Sequence, residues 1–114
     1  MTVFDVLRDA PPAQPDKPRP GVKRLLQGDG ANLIAFTFSP GQSFADHSSV
    51  HPITVTALSG TLTFSYDGET YDLTPGVVIH LDAKVMHRVD CPAESTGDAV
   101  MLLTMLTGEK HSTS

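Results

Sequence analysis

The chain has 114 residues, 39% of them hydrophobic, a formal net charge of −5 and a single cysteine, Cys91. That length suits one domain with one core. One cysteine excludes an intramolecular disulfide and a Cys-rich zinc module, and the scattered Lys and Arg offer no face for neutralising phosphates. No apolar run is long enough to span a bilayer, and Met1-Thr2-Val3-Phe4-Asp5 lacks a basic segment leading into an apolar one. The expectation is a cytoplasmic protein with neither nucleic acid nor membrane as partner.

Residues 1–10 predict a short helix: Thr2 and Asp5 have capping-box spacing, and Val3, Phe4, Val6 and Leu7 give an apolar side. Residues 11–20 hold five of the nine prolines. Proline fixes φ and removes a backbone donor, so this stretch reads as an extended arm. It is either a surface linker or an arm that crosses onto a partner subunit.

From residue 22 the pattern changes to short strands and frequent turns. Residues 22–27 and 32–39 are the first two strand candidates, separated by Gly28-Asp29-Gly30. Within 53–58, Ile53, Val55 and Ala57 alternate with Thr54 and Thr56, the period-two pattern of a strand buried on one face. Leu62, Phe64 and Tyr66 share a face of 61–66. Asp67-Gly68 then fits a two-residue hairpin turn, because glycine tolerates the positive φ such turns demand. Residues 69–73, 77–81, 85–91 and 99–106 complete the set, the last apolar enough to be buried on both faces. Many short strands with few helices predict an all-β fold, a sandwich or closed barrel. Residues 108–114 read as a polar tail.

Four of the five histidines, His47, His51, His80 and His87, lie at or near predicted strand ends, and His111 lies in the tail. Residues two apart on a strand share a face. If one strand runs through 47–55, His47 and His51 project to the side of Ile53. His80, between Ile79 and Leu81, faces away from both. Cys91 is four residues from His87, roughly 13 Å along an extended strand. That is too far for a dyad unless the chain turns, so the thiol reads as a small buried hydrophobe. Asp46 and Asp82 are either imidazole-orienting carboxylates or solvated turn residues.

The spacing of these residues carries a resemblance. Gly41 is followed by five residues, His47, Ser48, Ser49, three residues, Ile53, six residues and Gly60. Gly76 is followed by five residues, Asp82, Ala83, Lys84, two residues, His87, three residues and Cys91. This resembles the two motifs of the cupin family, G-x5-H-x-H-x3–4-E-x6-G and G-x5-P-x-G-x2-H-x3-N. The resemblance implies an antiparallel double-stranded β-helix, the cupin jelly-roll barrel, over residues 22–107, with the segment 1–21 outside it. It also implies a homodimer, since small cupins usually pair and open sheet edges need cover.

The departures bear on function. Ser49 stands where the family has its second histidine, and Ile53 where it has its metal-binding glutamate. Asp82, Lys84 and Cys91 replace the Pro, Gly and Asn of the second motif. Only His47 and His87 match ligand positions. With His51 as a third imidazole, the set His47, His51 and His87 would suit a divalent transition metal, Zn, Ni or Fe. The alternative is a metal-free pocket of neutral histidines that binds a small molecule without catalysis, as a sensor does. Neither the substrate nor a reaction type is legible, because fold does not fix function.

Overall fold

The computed structural model describes residues 1–108; His111 lies outside them. Nine strands follow one short helix: α1 Val6–Asp9, then β1 Gly21–Gln27, β2 Ala31–Phe38, β3 Ser43–His47, β4 Ile53–Ser59, β5 Leu62–Tyr66, β6 Glu69–Leu73, β7 Val78–Leu81, β8 His87–Asp90 and β9 Ala99–Leu106. They form two antiparallel sheets, a five-stranded one in the order β1-β2-β9-β4-β7 and a four-stranded one in the order β3-β8-β5-β6. This is the double-stranded β-helix. Among the described residues no helix is long and apolar enough to cross a membrane.

Directly paired residues of antiparallel strands point to the same face, so the register identifies the inner face. Phe36 pairs with Met101, Met101 with Ala57, and Leu103 with Val55. On the other sheet Leu62 pairs with Leu73, and Phe64 with both Tyr71 and Val89. Phe36, Val55, Ala57, Leu62, Phe64, Leu73, Val89, Met101 and Leu103 are buried and form the core between the sheets. Each such large side chain contributes about 1.5–3 kcal/mol when fully buried.

Three expectations change in detail. The helix cap is Asp5, whose carboxylate accepts from the Arg8 N–H at 3.2 Å, rather than Thr2. Asp5 sits three residues before Arg8, the reach a capping side chain needs. The supposed single strand through 47–55 is two strands, β3 and β4, separated by residues 48–52. Its parity argument fails there, because a loop does not keep the alternation of a strand. The proline-rich arm is more than a loose linker: it is fastened to its own barrel. Thr37 Oγ1 donates to the Pro11 carbonyl at 2.7 Å. The buried Gln42 Nε2 donates to the carbonyls of Gln14 and Lys17, both at 2.8 Å. Ser43 N–H adds a bond to the Pro18 carbonyl at 3.3 Å.

Candidate functional site

The end of β3 meets the start of β8. His47 and His87 are direct partners across this pair, beyond an irregularity in register between Phe44 and His47. Asp46, within that irregularity, has φ of +46°. A bulge of this kind re-aims the side chain that follows it. Aspartate tolerates the left-handed region better than most residues, so the sequence Asp46-His47 accommodates the bulge.

The two imidazoles lie 6.2 Å apart, edge to face, with an interplanar angle of 85°. His47 is exposed and tilted over Phe44 at 4.7 Å, and Phe44 in turn contacts Phe36 at 5.0 Å. His87 is 4% exposed and lies nearly parallel to Phe64, 5.5 Å away with a 9° angle. Aromatic rings on both sides therefore fix the two imidazoles.

His87 is defined down to its tautomer. Its Nδ1 lies 3.1 Å from the Val85 carbonyl oxygen. That oxygen can only accept, so Nδ1 carries the proton and Nε2 carries the lone pair. Nε2 is buried and has no partner. Burial lowers the His87 pKa below its ordinary value of 6.5; the Val85 bond opposes this and the neighbouring His47 reinforces it. The ring is therefore neutral at pH 7.

The other candidates are placed elsewhere. His51 lies half-buried in the loop before β4, and its backbone N–H donates to Ser49 Oγ at 3.1 Å. His80 is exposed on β7, opposite Thr54. Asp46 and Asp82 are exposed, and the His87 Nδ1 is held by a backbone carbonyl, not a carboxylate. Cys91 is buried, its Sγ 3.9 Å from Ser95 Oγ, and desolvation raises its pKa. A thiol held protonated is a poor nucleophile, so Cys91 serves packing. Lys84, in place of the family's glycine, keeps a glycine-like φ of +67°, and its N–H donates to the Ser49 carbonyl at 2.6 Å. That bond ties the loop after β3 to the loop before β8. Sequence reasoning missed Phe44, Phe64 and the Val85 carbonyl. Their roles depend on pairing between distant strands, and no local pattern signals it.

The sequence profile described as "Cupin domain" matches residues 35–105. The chain belongs to the cupin family. Solved structures agree with this. An uncharacterised conserved protein with a double-stranded β-helix domain from Klebsiella pneumoniae is similar at TM-score 0.79 and 18% identity, over 96% of this chain and 92% of that one. A conserved protein of unknown function from Streptococcus pyogenes is similar at TM-score 0.73 and 25% identity, over 96% and 90%. A cupin superfamily protein from Desulfitobacterium hafniense is similar at TM-score 0.67 and 23% identity, over 77% of each chain. These likenesses establish the fold. A comparison with curated protein sequences finds no match.

Cupins commonly hold a metal ion, and the donor set of this cupin can be tested for one. The unpartnered Nε2 of His87 is the atom a metal would take, with the other ring nitrogen tied down as metal-ligating histidines require. His47 supplies a second imidazole. A protein-held ion of the zinc type needs three or four donors. Ser49 and Ile53 remove two of the family's, and among the described residues no group of three or more His, Cys, Asp or Glu is placed to hold a metal. The described residues, as arranged, do not fit a resident ion.

Proposed function

We propose that this cupin is a non-catalytic binding module for a small organic molecule that offers a hydrogen-bond donor to His87, with no resident metal. The observation that carries this reading is the His87 Nε2 atom, buried, unprotonated and without a partner. A buried acceptor left unpaired costs about 1–3 kcal/mol, which a ligand hydroxyl or N–H recovers. Exposed His47 gives the ligand a second polar contact, and the flanking Phe44 and Phe64 suit an apolar body. A metal would instead require a third donor beside His47 and His87, the role that His51 would fill.

The test uses protein purified without a histidine tag. Its metal content is measured, and thermal shifts are recorded against a panel of alcohols, amides and protonatable acids, with and without chelator. The expected result is sub-stoichiometric metal, with stabilising compounds that act equally in chelator and lose their effect in His87→Phe. One equivalent of Zn, Ni or Fe, lost in His51→Ala, would overturn this reading in favour of the three-histidine metal site.

We infer in addition that two copies pair through β1. It ends the five-stranded sheet with an unpaired edge and carries the exposed Val22, and such edges call for cover. Light scattering at micromolar concentration is expected to give twice the 12.2 kDa chain mass; a monomer mass refutes the pairing.

A further inference from the structure

The two sheets do not close on each other at β6 and β7. Each is an edge strand, β6 of the four-stranded sheet and β7 of the five-stranded one. Between them opens a cleft of about 670 Å³, within the range of small-molecule sites. The register assigns its walls. Tyr71 pairs with Phe64, and Tyr66 lies two residues from Phe64, so both tyrosines stand on the inner face of their sheet. Ile79 pairs with Val55 and Leu81 with Ile53, so these face inward from the other side.

The tyrosines are inward-facing yet 39% and 46% exposed, because no strand covers them. Tyr71 is steadied by donating its hydroxyl hydrogen to Glu69 Oε1 at 3.2 Å. Among the described residues lining the cleft, the charged ones are limited to a single carboxylate, Asp72; there is no Lys or Arg.

The geometry points to a binding site in this cleft for an uncharged, planar aromatic molecule, separate from the donor-bearing ligand of His87. Tyr66 and Tyr71 supply ring faces above the buried Phe64, and rings bind rings by offset stacking or edge contact. Ile79 and Leu81 supply an aliphatic wall. The lining holds the Asp72 carboxylate and the His80 imidazole but no Lys or Arg, so an anionic ligand is disfavoured there. Strand addition from another chain is disfavoured: β7 is only four residues long, preceded by Pro75-Gly76, and β6 carries Glu69 and Asp72. Short, charged edges resist pairing.

The chain contains no tryptophan and two tyrosines, and both line this cleft. Tyr66 also borders the pocket that contains His87, so tyrosine emission reports that the probe binds, and the variants below locate it in the cleft. The neutral probe N-phenyl-1-naphthylamine is titrated into the full chain while tyrosine quenching by energy transfer is followed. Saturable one-to-one quenching is expected, with 8-anilinonaphthalene-1-sulfonate, an anion, binding at least ten-fold more weakly. Val77→Lys places a cation at the cleft and is expected to weaken the neutral probe ten-fold or more; Tyr71→Ser, read by probe emission, is expected to do the same. Both positions are exposed, and circular dichroism checks that each variant folds. His47→Ala, at an exposed residue of the other site that does not line the cleft, is expected to leave probe binding unchanged, so this site and the His87 site fail independently. Non-saturable quenching, equal affinity for the anion, or full binding by both folded variants overturns the proposal. So does a dimer that Tyr71→Arg converts to monomer, since a second copy would then occupy the cleft.

Discussion

Replacing Gln42 with leucine isolates what the proline-rich arm contributes. The side chain is 2% exposed and makes three hydrogen bonds: its Oε1 accepts from Ser39 N–H at 2.6 Å, and its Nε2 donates to the Gln14 and Lys17 carbonyls at 2.8 Å. Leucine keeps the approximate volume and removes all three. Ser39 is itself buried, so its N–H is left without a partner at about 1–3 kcal/mol. Gln14 is half-buried and Lys17 exposed, so their carbonyls rehydrate and each lost bond costs about 0.5–1 kcal/mol. The expected loss is about 3 kcal/mol, a large part of the 5–15 kcal/mol typical of a domain. Urea denaturation measures it, and hydrogen exchange at the arm amides is expected to accelerate, Lys17 N–H included, which donates to Gln14 at 3.0 Å. Trypsin is a poor probe here, because Lys17 and Arg19 each precede a proline. Gln42→Glu separates the two halves. It keeps the acceptor for Ser39 but turns a carboxylate toward two carbonyls, so its deficit is expected to shrink on acidification as a carboxylic O–H becomes available. A loss below about 0.5 kcal/mol, or unchanged exchange in the arm, would refute the claim that Gln42 fastens it.

Two further outcomes follow from the same contacts. Burial holds the folded-state pKa of His87 below its ordinary 6.5, so between 6.5 and that lower value the unfolded chain binds the extra proton. Stability is therefore expected to be complete above about pH 6.5 and to fall as pH drops through that window, flattening below the folded value; His87→Gln should remove this slope from urea midpoints. Asp90, held low by Arg88 and Ser43, contributes stability that is lost only below the ordinary carboxylate range, so the two effects separate on the pH axis. Gly60 has φ of +73°, and a Cβ there would lie 2.8 Å from Ala99 Cα, Ala99 Cβ and the Asp98 oxygen. Gly60→Val is accordingly expected to cost at least about 3 kcal/mol by strain and overlap, read as a lowered urea midpoint; a loss under about 1 kcal/mol would show that the turn can move.

The fold was legible because its signals are local. Alternation in 53–58, the Asp67-Gly68 turn and the glycines at 41, 60 and 76 mark strands and their ends within a few residues, and five of the chain's glycines, those three among them, take positive φ. β3 left no such mark. Ser43-Phe44-Ala45-Asp46-His47 contains one large apolar residue and lies on a sheet edge with three of its five residues exposed, so no period-two pattern forms. The candidate site was legible only in its spacing. That His47 and His87 meet depends on the β3–β8 register, and the His87 tautomer depends on a carbonyl two residues away. The β6–β7 cleft depends on two strands failing to meet, which no window of sequence encodes.

Position 53 decides how far this barrel stands from a metal site. Ile53 is 2% exposed within the core, at the place where the resembling motif carries a glutamate. Ile53→Glu puts a carboxyl group into that apolar setting. A buried glutamate is documented to shift upward by about four units, which corresponds to about 5 kcal/mol at 1.36 kcal/mol per unit. Water penetration and relaxation reduce this, so the expected loss without metal is about 3–5 kcal/mol and the variant stays folded. With His47 and His87 the carboxylate would complete three donors. Added Ni²⁺ or Zn²⁺ at a hundred-fold excess over its dissociation constant would then restore about 2.7 kcal/mol, or roughly 10 °C in Tm for a domain of this size. The original chain is expected to show no comparable shift, and Ile53→Glu with His87→Phe should lose it. A metal response equal in the original chain and in Ile53→Glu would refute the reasoning, because it would mean that two imidazoles and a third donor outside position 53 already suffice.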